Sequence, residues 1–240
     1  PYNVQIDGNV SGHGAIRHRE FAMASGEMGE SAFLDFLSKA LKLLRSNSKS
    51  GSVHFICMDW RHMGELLAAG KGPYSELKNV CVWVKHNAGM GSMYRSQHEF
   101  VLVFKQGHDS HRNNIQLGRF GRCRSNVWSY AGANSFGRGT DEGNLLHLHP
   151  TVKPVTLIAD AMMDCSARGD IVLDAFCGSG STIIAAERTG RRGYGIELDP
   201  AYVDTAVRRW QTFTRDVAYD SLTQRPYDEV ANLRVTTHVG

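Results

Sequence analysis

The segment 174–200, DAFCGSGSTIIAAERTGRRGYGIELDP, constrains the fold of this chain more than any other. A short apolar run ends at Asp174, the glycines Gly178 and Gly180 follow, and a helical pattern begins directly after them. A strand that passes through glycines into a helix lets the backbone approach a ligand closely at the carboxyl edge of a sheet. A second strand pattern ends at Glu197, where a carboxylate can accept both hydroxyls of a ribose. The segment therefore predicts an α/β unit that binds a nucleoside.

A dinucleotide-binding site is the first alternative for this loop. Such a site needs GxGxxG/A, because the third glycine lets helix and strand pack tightly above a pyrophosphate. Here Ile183 occupies the place of the third glycine after Gly178 and Gly180. The loop therefore fits a ligand without a pyrophosphate better. S-adenosylmethionine, an adenosine joined to methionine at a sulfonium, is such a ligand.

Helix and strand patterns alternate through the rest of the chain. Helices are predicted over 31–47, 64–69, 154–165, 181–189 and from 200 onward, and strands over 53–58, 80–85, 99–105, 171–175 and 193–198. Strands that alternate with helices predict an α/β layered fold with a mainly parallel sheet. The tail after Arg215 is polar, and no element is predicted there.

The composition excludes several classes of protein. No run approaches roughly eighteen consecutive apolar residues, and the first residues lack a secretory pattern, so we expect an intracellular protein without a membrane span. The five cysteines are scattered without a CxxC pair, and no histidine lies at metal-ligand spacing. Neither a disulfide framework nor a metal site is therefore predicted.

The charge is distributed unevenly, although the net charge is only +3. No acidic residue lies between Asp109 and Asp141, and the arginines of that stretch are Arg112, Arg119, Arg122, Arg124 and Arg138. Two more, Arg17 and Arg19, lie in the glycine-rich stretch 8–29. Aperiodic segments that carry arginines are typical of surfaces that contact phosphates, and a merely solvated loop is the alternative.

Two further motifs complete a resemblance to a known family. The HPTVKP element, 149–154, precedes the glycine loop, and the chain opens with PYN, followed by the glycine-rich stretch and a helical pattern. Over 1–212 this order resembles the permuted β-group of DNA adenine-N6 and cytosine-N4 methyltransferases, in which HPTxKP precedes DxFxGSG and DPPY ends a strand. The resemblance implies S-adenosylmethionine as cofactor, bound by His149, Thr151, Lys153, Pro154, Asp174, Phe176, Gly178, Ser179, Gly180, Glu197 and Leu198.

The resemblance also implies how some of these residues contact the cofactor. Asp174 would hold the methionine amino group, and Phe176 would pack near the adenosine. Glu197 would bind the ribose hydroxyls. Thr151 and Lys153 would contact the carboxylate end of the methionine moiety.

The fold implied by the resemblance is a Rossmann-like class I methyltransferase, with a mostly parallel sheet and helices on both faces. The implied layout is a methyltransferase domain over 1–215, made of a catalytic half (1–105), a short arginine-rich DNA-contact segment (106–147) and a cofactor half (148–215), then a polar tail (216–240). The N-terminal strands of the family, and the Asp and first Pro of DPPY, are expected to lie before residue 1.

The expected reaction is methyl transfer to the N6 amine of adenine in a flipped base of double-stranded DNA. Pro1, Tyr2 and Asn3 are the predicted catalytic residues, with Tyr2 stacking on the base. Asn3 favours adenine, because DPPYN is commoner in adenine enzymes of the family. Cytosine-N4 methylation is the alternative within enzymes, and a non-catalytic cofactor- or DNA-binding module is the alternative outside them.

Further expectations concern the surroundings of the protein. Predicted DNA contacts come from Arg17, Arg19, Arg112, Arg119, Arg122 and Arg124. A homodimer and a cytoplasmic, nucleoid-associated location in a bacterium or phage are expected from the resemblance alone.

Overall fold

The computed structural model describes residues 1–6, 20–89, 93–132 and 152–237, without the side chains of 234–237. The helices are α1 (Glu30–Ser46), α2 (Met63–Gly70), α3 (Val155–Cys165), α4 (Ser181–Thr189), α5 (Pro200–Thr214) and α6 (Tyr227–Thr237). The strands are β1 (Val53–Met58), β2 (Glu76–Val84), β3 (His98–Lys105), β4 (Val127–Ser129), β5 (Ile171–Asp174) and β6 (Arg192–Gly195).

The strands form a sheet in the order β1-β3-β2-β4 and a separate pair, β5-β6. β3 is antiparallel to both of its neighbours, whereas β2 pairs with β4, and β5 with β6, in parallel. β1, β2 and β4 therefore run in one direction, and β3 is reversed between two of them. The expected mainly parallel sheet is corrected to a mixed one. The reason is the short connection 85–97, because neighbouring parallel strands need a longer crossover.

Helices cover both faces of the four-stranded sheet, as predicted. On one face α1 presents Phe33, Leu37 and Leu41, one apolar residue per turn, to Leu102 and Phe104 of β3. All five side chains are almost fully buried. The alternate residues of β3 then face the other side of the sheet, because side chains alternate along a strand.

α3 fills that other face and joins the two halves of the molecule. Leu157 and Ala161 of α3 pack against Trp83 and the alternate residues of β3. The opposite side of α3 packs against α4, with Met162 in contact with a cluster that includes Ala185. α3 is thus shared between the four-stranded sheet and the β5-β6 unit.

Two elements lie where the sequence analysis predicts none. β4 is only three residues long and lies inside the arginine-rich segment, and α6 lies in the polar tail. A three-residue strand has no measurable period, and α6 lacks an apolar stripe, so neither leaves a pattern in the sequence. β2 also begins earlier than predicted, because its polar first residues pair with the end of β3, Glu76 opposite Lys105. Within the described ranges, no helix is both long and apolar enough to span a membrane.

Candidate active site

Tyr2 is held at the carboxyl edge of the four-stranded sheet, where β1 and β2 end and the reversed β3 begins. Its hydroxyl donates a hydrogen bond of 2.8 Å to Oε2 of Glu99, the second residue of β3. The ammonium of Lys153 lies 4.7 Å from the centre of the Tyr2 ring. Burial and the adjacent Glu99 carboxylate raise the pKa of Tyr2 well above its ordinary value, so its hydroxyl remains a donor. The ring is therefore fixed from two sides.

Glu99 is the centre of this cluster. Its Oε2 lies 3.1 Å from Nζ of Lys153, and its Oε1 lies 2.6 Å from Nζ of Lys85. Burial by itself would raise the pKa of Glu99, but the two ammonium groups and the Tyr2 hydroxyl outweigh it and lower the pKa to about 2. One ionised carboxylate thus orients an aromatic ring and two cations.

Asn3, next to Tyr2, is hydrogen-bonded to the turn that precedes α1. Its backbone is left-handed, with φ of +49°, a conformation that Asn tolerates better than most residues. Its side-chain amide donates to the carbonyl of Met28 at 2.7 Å, and its side-chain oxygen accepts from the backbone N–H groups of Gly26 and Met28. In this structure the side chain of Asn3 thus holds the turn before α1, and the catalytic role predicted for it stays a prediction.

The glycine loop begins at Asp174, the last residue of β5. The Asp174 carboxylate accepts the backbone N–H of Phe176 at 3.0 Å and the hydroxyl of Thr182 at 2.5 Å. Gly180 is left-handed, with φ of +81°, and a Cβ placed on it would lie 2.6 Å from Cβ of Ala206 in α5. A side chain is excluded there by both sterics and backbone strain, so the tight turn requires glycine.

Glu197 lies beyond the end of β6 and closes the loop from the other side. Its Oε2 accepts the backbone N–H of Gly178 at 2.7 Å, and its Oε1 accepts the N–H of Asp199 at 2.9 Å. Asp199 in turn caps α5 through a 3.0 Å bond from the N–H of Ala201. The two predicted cofactor carboxylates, Asp174 and Glu197, are therefore held rigidly at adjacent strand ends.

The N-terminal residues and the glycine loop converge. The ring of Phe176 packs edge-on against that of Phe36 in α1, and Phe36 and Tyr2 both pack against the core cluster on that face of the sheet. Lys153 immediately precedes Pro154, the buried N-cap of α3, so the helix start fixes its position. The structure thus brings the predicted catalytic and cofactor residues to one edge.

Apolar surface flanks the two carboxylates. Phe176 is 39% exposed and Leu198 is 60% exposed, and the Phe176 ring lies 6.2 Å from that of Phe36 in α1. Ser179, in contrast, is buried and accepts hydrogen bonds from Arg209 of α5 through its carbonyl and its hydroxyl. Ser179 therefore supports the loop, whereas Phe176 and Leu198 remain accessible to a planar ligand.

The two cysteines near these groups are not activated nucleophiles. Burial raises the pKa of Cys177 to about 12 and that of Cys57 to about 11, so both thiols are uncharged at neutral pH. In the part of the chain that the structure describes, no group of three or more His, Cys, Asp or Glu residues could hold a metal ion. The cluster is suited to binding and orientation.

Two of the predicted DNA-contacting arginines are paired inside the protein. Arg122 lies 2.7 Å from a carboxylate oxygen of Asp164, and Arg124 lies 2.7 Å from the other oxygen. Both also reach Asp160, at 3.2 and 3.3 Å, one turn earlier on α3. Both arginines are thus engaged within the protein in this structure, and their contact with DNA stays a prediction. They attach the arginine-rich segment to α3.

The arginine-rich segment lies at the end of α3 that is remote from Lys153. Asp164 follows Lys153 by eleven residues, which along a helix is roughly 16 Å. Asn114 caps the far end of α3 through the carbonyls of Met163 and Ser166, and Arg112 lines a cavity there. Arg112 and Arg119 are exposed, but their segment lies at the amino edge of the sheet, opposite Tyr2. Four predicted residues, His149, Thr151, Arg17 and Arg19, lie outside the described residues.

A family model described as DNA methylase matches residues 1–208. The chain belongs to this DNA methylase family. The Type II methyltransferase M.Cfr9I of Citrobacter freundii is 31% identical over 149 residues, which cover 56% of this chain and 44% of that protein. The chain therefore spans less than half the length of this curated relative.

Two solved structures of methyltransferases match the fold of this family member. The PvuII DNA methyltransferase, described as cytosine-N4-specific, matches with a TM-score of 0.65 at 16% identity, over 81% of this chain and 75% of that chain. The M1.HpyAVI–SAM complex matches with a TM-score of 0.54 at 20% identity, over 73% of this chain and 81% of that chain. The predicted class I methyltransferase fold is thereby confirmed.

Sequence reasoning missed two residues of the site in this DNA methylase. Neither Glu99 nor Lys85 was singled out, although together they fix Tyr2 and Lys153. A signal was present, because Glu99 is an acid at the start of an otherwise apolar strand pattern. An acid at that position is costly unless a cation pairs with it.

Proposed function

We propose that this protein transfers a methyl group to the N6 amine of adenine in a base flipped out of double-stranded DNA. The family acts on exocyclic amines of DNA, at adenine N6 or cytosine N4. Adenine is favoured because Asn3 follows Tyr2, the order that is commoner in the adenine enzymes that this sequence resembles.

S-adenosylmethionine is the cofactor, and it supplies an electrophilic methyl group carried on a sulfonium. The matching M1.HpyAVI structure is a complex with this molecule. The residues of this chain fit it. Asp174 provides a carboxylate for an ammonium, Glu197 provides one for hydroxyls, and Phe176 provides exposed apolar surface for a purine.

The other half of the site receives the base. An exocyclic amine cannot be reached inside a duplex, so the nucleotide must be extruded and stacked on an aromatic ring. Tyr2 is the ring that this chain offers, and Glu99 and Lys153 hold it. Orientation matters because transfer requires the amine lone pair to align with the methyl group.

One observation carries this proposal. The cluster of Tyr2, Glu99 and Lys153 lies at the same edge as the carboxylates Asp174 and Glu197, and the Phe176 ring of the glycine loop connects the two. A base held by the first group and a nucleoside held by the second would meet at this edge. Neither arrangement requires a nucleophile on the protein, in agreement with the uncharged thiols of the site.

The decisive experiment is methyl transfer from labelled S-adenosylmethionine to unmethylated DNA, with protein that carries whatever residues natively precede Pro1. Nucleoside mass spectrometry of the product identifies the modified amine. N6-methyladenine is expected. N4-methylcytosine would overturn the choice of adenine, and the absence of both would overturn the reaction.

The cofactor residues are tested separately by calorimetry. Glu197→Ala should weaken S-adenosylmethionine binding by about 2 kcal/mol, the loss of charge-assisted hydrogen bonds. Asp35→Asn is the matched control, because Asp35 is an exposed carboxylate on α1 that pairs only with its helical neighbour Lys39 in the contacts described. Equal affinity of the wild type and the Glu197 variant would contradict the proposed cofactor site.

A further inference from the structure

A large aromatic side chain, Trp60, is exposed at the same edge as Tyr2. Trp60 follows Met58, the last residue of β1, by two positions and is 52% exposed. Trp83 and Trp128, in the same sheet, are buried in the core. An indole left in solvent beside a site is a candidate for contact with a ligand.

The turn that carries Trp60 is rigid. The Asp59 carboxylate accepts the backbone N–H groups of Arg61 and His62, both at 3.1 Å, and pairs with the Arg61 guanidinium at 3.2 Å. The guanidinium lies 5.0 Å from the centre of the Trp60 ring. His62 packs edge-on against the buried ring of Phe33 at 5.0 Å. The exposed indole is therefore presented on a backbone that is fixed on both sides.

The turn is also close to the predicted base-stacking ring. Tyr2 packs against the core cluster that contains Met58, the last residue of β1, and Asp59 follows Met58 directly. Trp60 is the residue next to Asp59. It therefore lies at the edge where a flipped base would stack.

A second exposed aromatic, Tyr94, lies on the other side of β3. Tyr94 is 80% exposed and belongs to the connection that leaves the end of β2 at this edge. Arg95 donates to the carbonyls of Ala88 and Gly89 at 3.0 and 3.1 Å and so closes the connection. β1 and β2 are separated only by β3, which corresponds to roughly 10 Å between their ends.

We propose that Trp60 and Tyr94, the edge aromatics, stack on DNA bases beside the extruded nucleotide, and that Arg61 contacts a phosphate. The surface rests on the proposed function, since it supposes that DNA reaches this edge. Every base offers a π face to an aromatic ring, and a neighbouring guanidinium adds attraction for the backbone. DNA is thus read from the carboxyl edge and not through the arginine-rich segment.

The chain contains a matched control at the opposite edge. Phe120 is 57% exposed, and the Arg119 guanidinium lies 5.6 Å from its ring centre, an arginine–aromatic pair of the same kind. The pair belongs to the arginine-rich segment, far from Tyr2. It thus offers the same arginine–aromatic contact as the Trp60 turn, but at the opposite edge of the sheet.

The test measures binding of a fluorescently labelled unmethylated DNA duplex by anisotropy over a range of salt concentrations. Trp60→Ala and Tyr94→Ala should each weaken binding about tenfold without changing the salt slope, because stacking releases no counterions. Arg61→Ala should lower the slope by about one. Phe120→Ala and Arg119→Ala should match the wild type. Thermal unfolding confirms that each variant is folded.

Two results would overturn the inference, namely unchanged binding of both aromatic variants or an equal loss in Phe120→Ala. The methyl-transfer assay separates this failure from failure of the proposed function. If the wild type transfers methyl groups and the Trp60 and Tyr94 variants bind DNA with unchanged affinity, only the proposed role of the edge aromatics is rejected. A wild type that transfers no methyl group but loses DNA affinity in those variants supports the surface and rejects the reaction.

Discussion

The two ends of α3 carry different ion-pair clusters. Just before the helix, Lys153 pairs with Glu99 of β3. Near its other end, Asp164 pairs with two arginines of the arginine-rich segment. Both clusters are partly buried and pair cations with carboxylates. They differ in what else they hold. The first cluster includes the hydroxyl of Tyr2, at the same edge as Asp174 and Glu197, whereas the second includes Asp160 and Tyr130 within the protein.

The difference shows that a local excess of arginines does not identify a nucleic-acid surface. Arg122 and Arg124 have no acidic neighbour in sequence, but each finds one on α3 about 40 residues later. Ion pairs of this kind contribute little net stability, yet removing one partner leaves an uncompensated charge. One cluster should therefore affect stability most, and the other should affect activity most.

The largest effect is expected at Asp164. Its side chain is 5% exposed, so Asp164→Ala leaves two arginines without their common partner and should lower the free energy of unfolding by about 3 kcal/mol. Urea denaturation measures this loss. Asp160→Ala, at a position whose side chain is 30% exposed, should cost clearly less. Equal losses in the two variants would show that Asp164 is not the centre of the cluster.

Glu99→Gln should reduce kcat about thirtyfold, or ~2 kcal/mol, with little change in KM for S-adenosylmethionine. The substitution keeps the shape of the side chain but removes the charge that orients Tyr2 and Lys153. Glu76→Gln is the matched control, because Glu76 is a carboxylate on β2 that pairs with Lys78 outside this cluster. A fall in kcat that merely tracks the loss of folded protein would argue against a positioning role.

A smaller effect should appear in acid. The pKa of Glu99 is lowered from 4.5 to about 2 in the folded protein, so its ionised form stabilises the fold above pH 4.5, and this contribution is lost as the pH falls toward 2. At pH 3 the loss should be ~1–2 kcal/mol. The stability difference between wild type and Glu99→Gln, followed by urea denaturation, should shrink over this range. A constant difference would mean that Glu99 titrates normally.

The smallest effect is expected from the exposed arginines of the amino edge. The double variant Arg112→Ala and Arg119→Ala should leave the salt slope of DNA binding unchanged, because its side chains lie far from Tyr2. Anisotropy with the same duplex measures the slope. A decrease of the salt slope by about one or two would indicate that this segment does contact DNA.

Local sequence patterns were enough to predict the bounds of elements in which apolar residues recur at a regular helix or strand spacing. β1 and α4 have the bounds predicted for them, and α1 differs by one residue at each end. The glycine loop was also readable, because the φ angles of Gly178 and Gly180 depend on the local chain. The places of Asp174 and Glu197 at strand ends were predicted as well, whereas their roles toward the cofactor remain a proposal.

Contacts between distant residues could not be read in the same way. No pattern within β3 shows that it inserts between β1 and β2, since its apolar residues would suit either orientation. The pairing of Arg122 with Asp164, and of Tyr2 with Glu99, joins residues 42 and 97 positions apart. The assembled fold determines which of these residues become partners, so the sequence of each separate segment does not predict them.

The reversal of β3 has a consequence for the order in which the protein matures. Glu99 reaches Tyr2 only because β3 enters the sheet at the edge where its neighbours leave it. Lys153 can pair with Glu99 only after α3 has packed on that same strand. During synthesis the corner that holds Tyr2 therefore cannot become organised before α3 has been made, and a chain that stalls before β3 docks would have a Tyr2 ring with nothing to orient it.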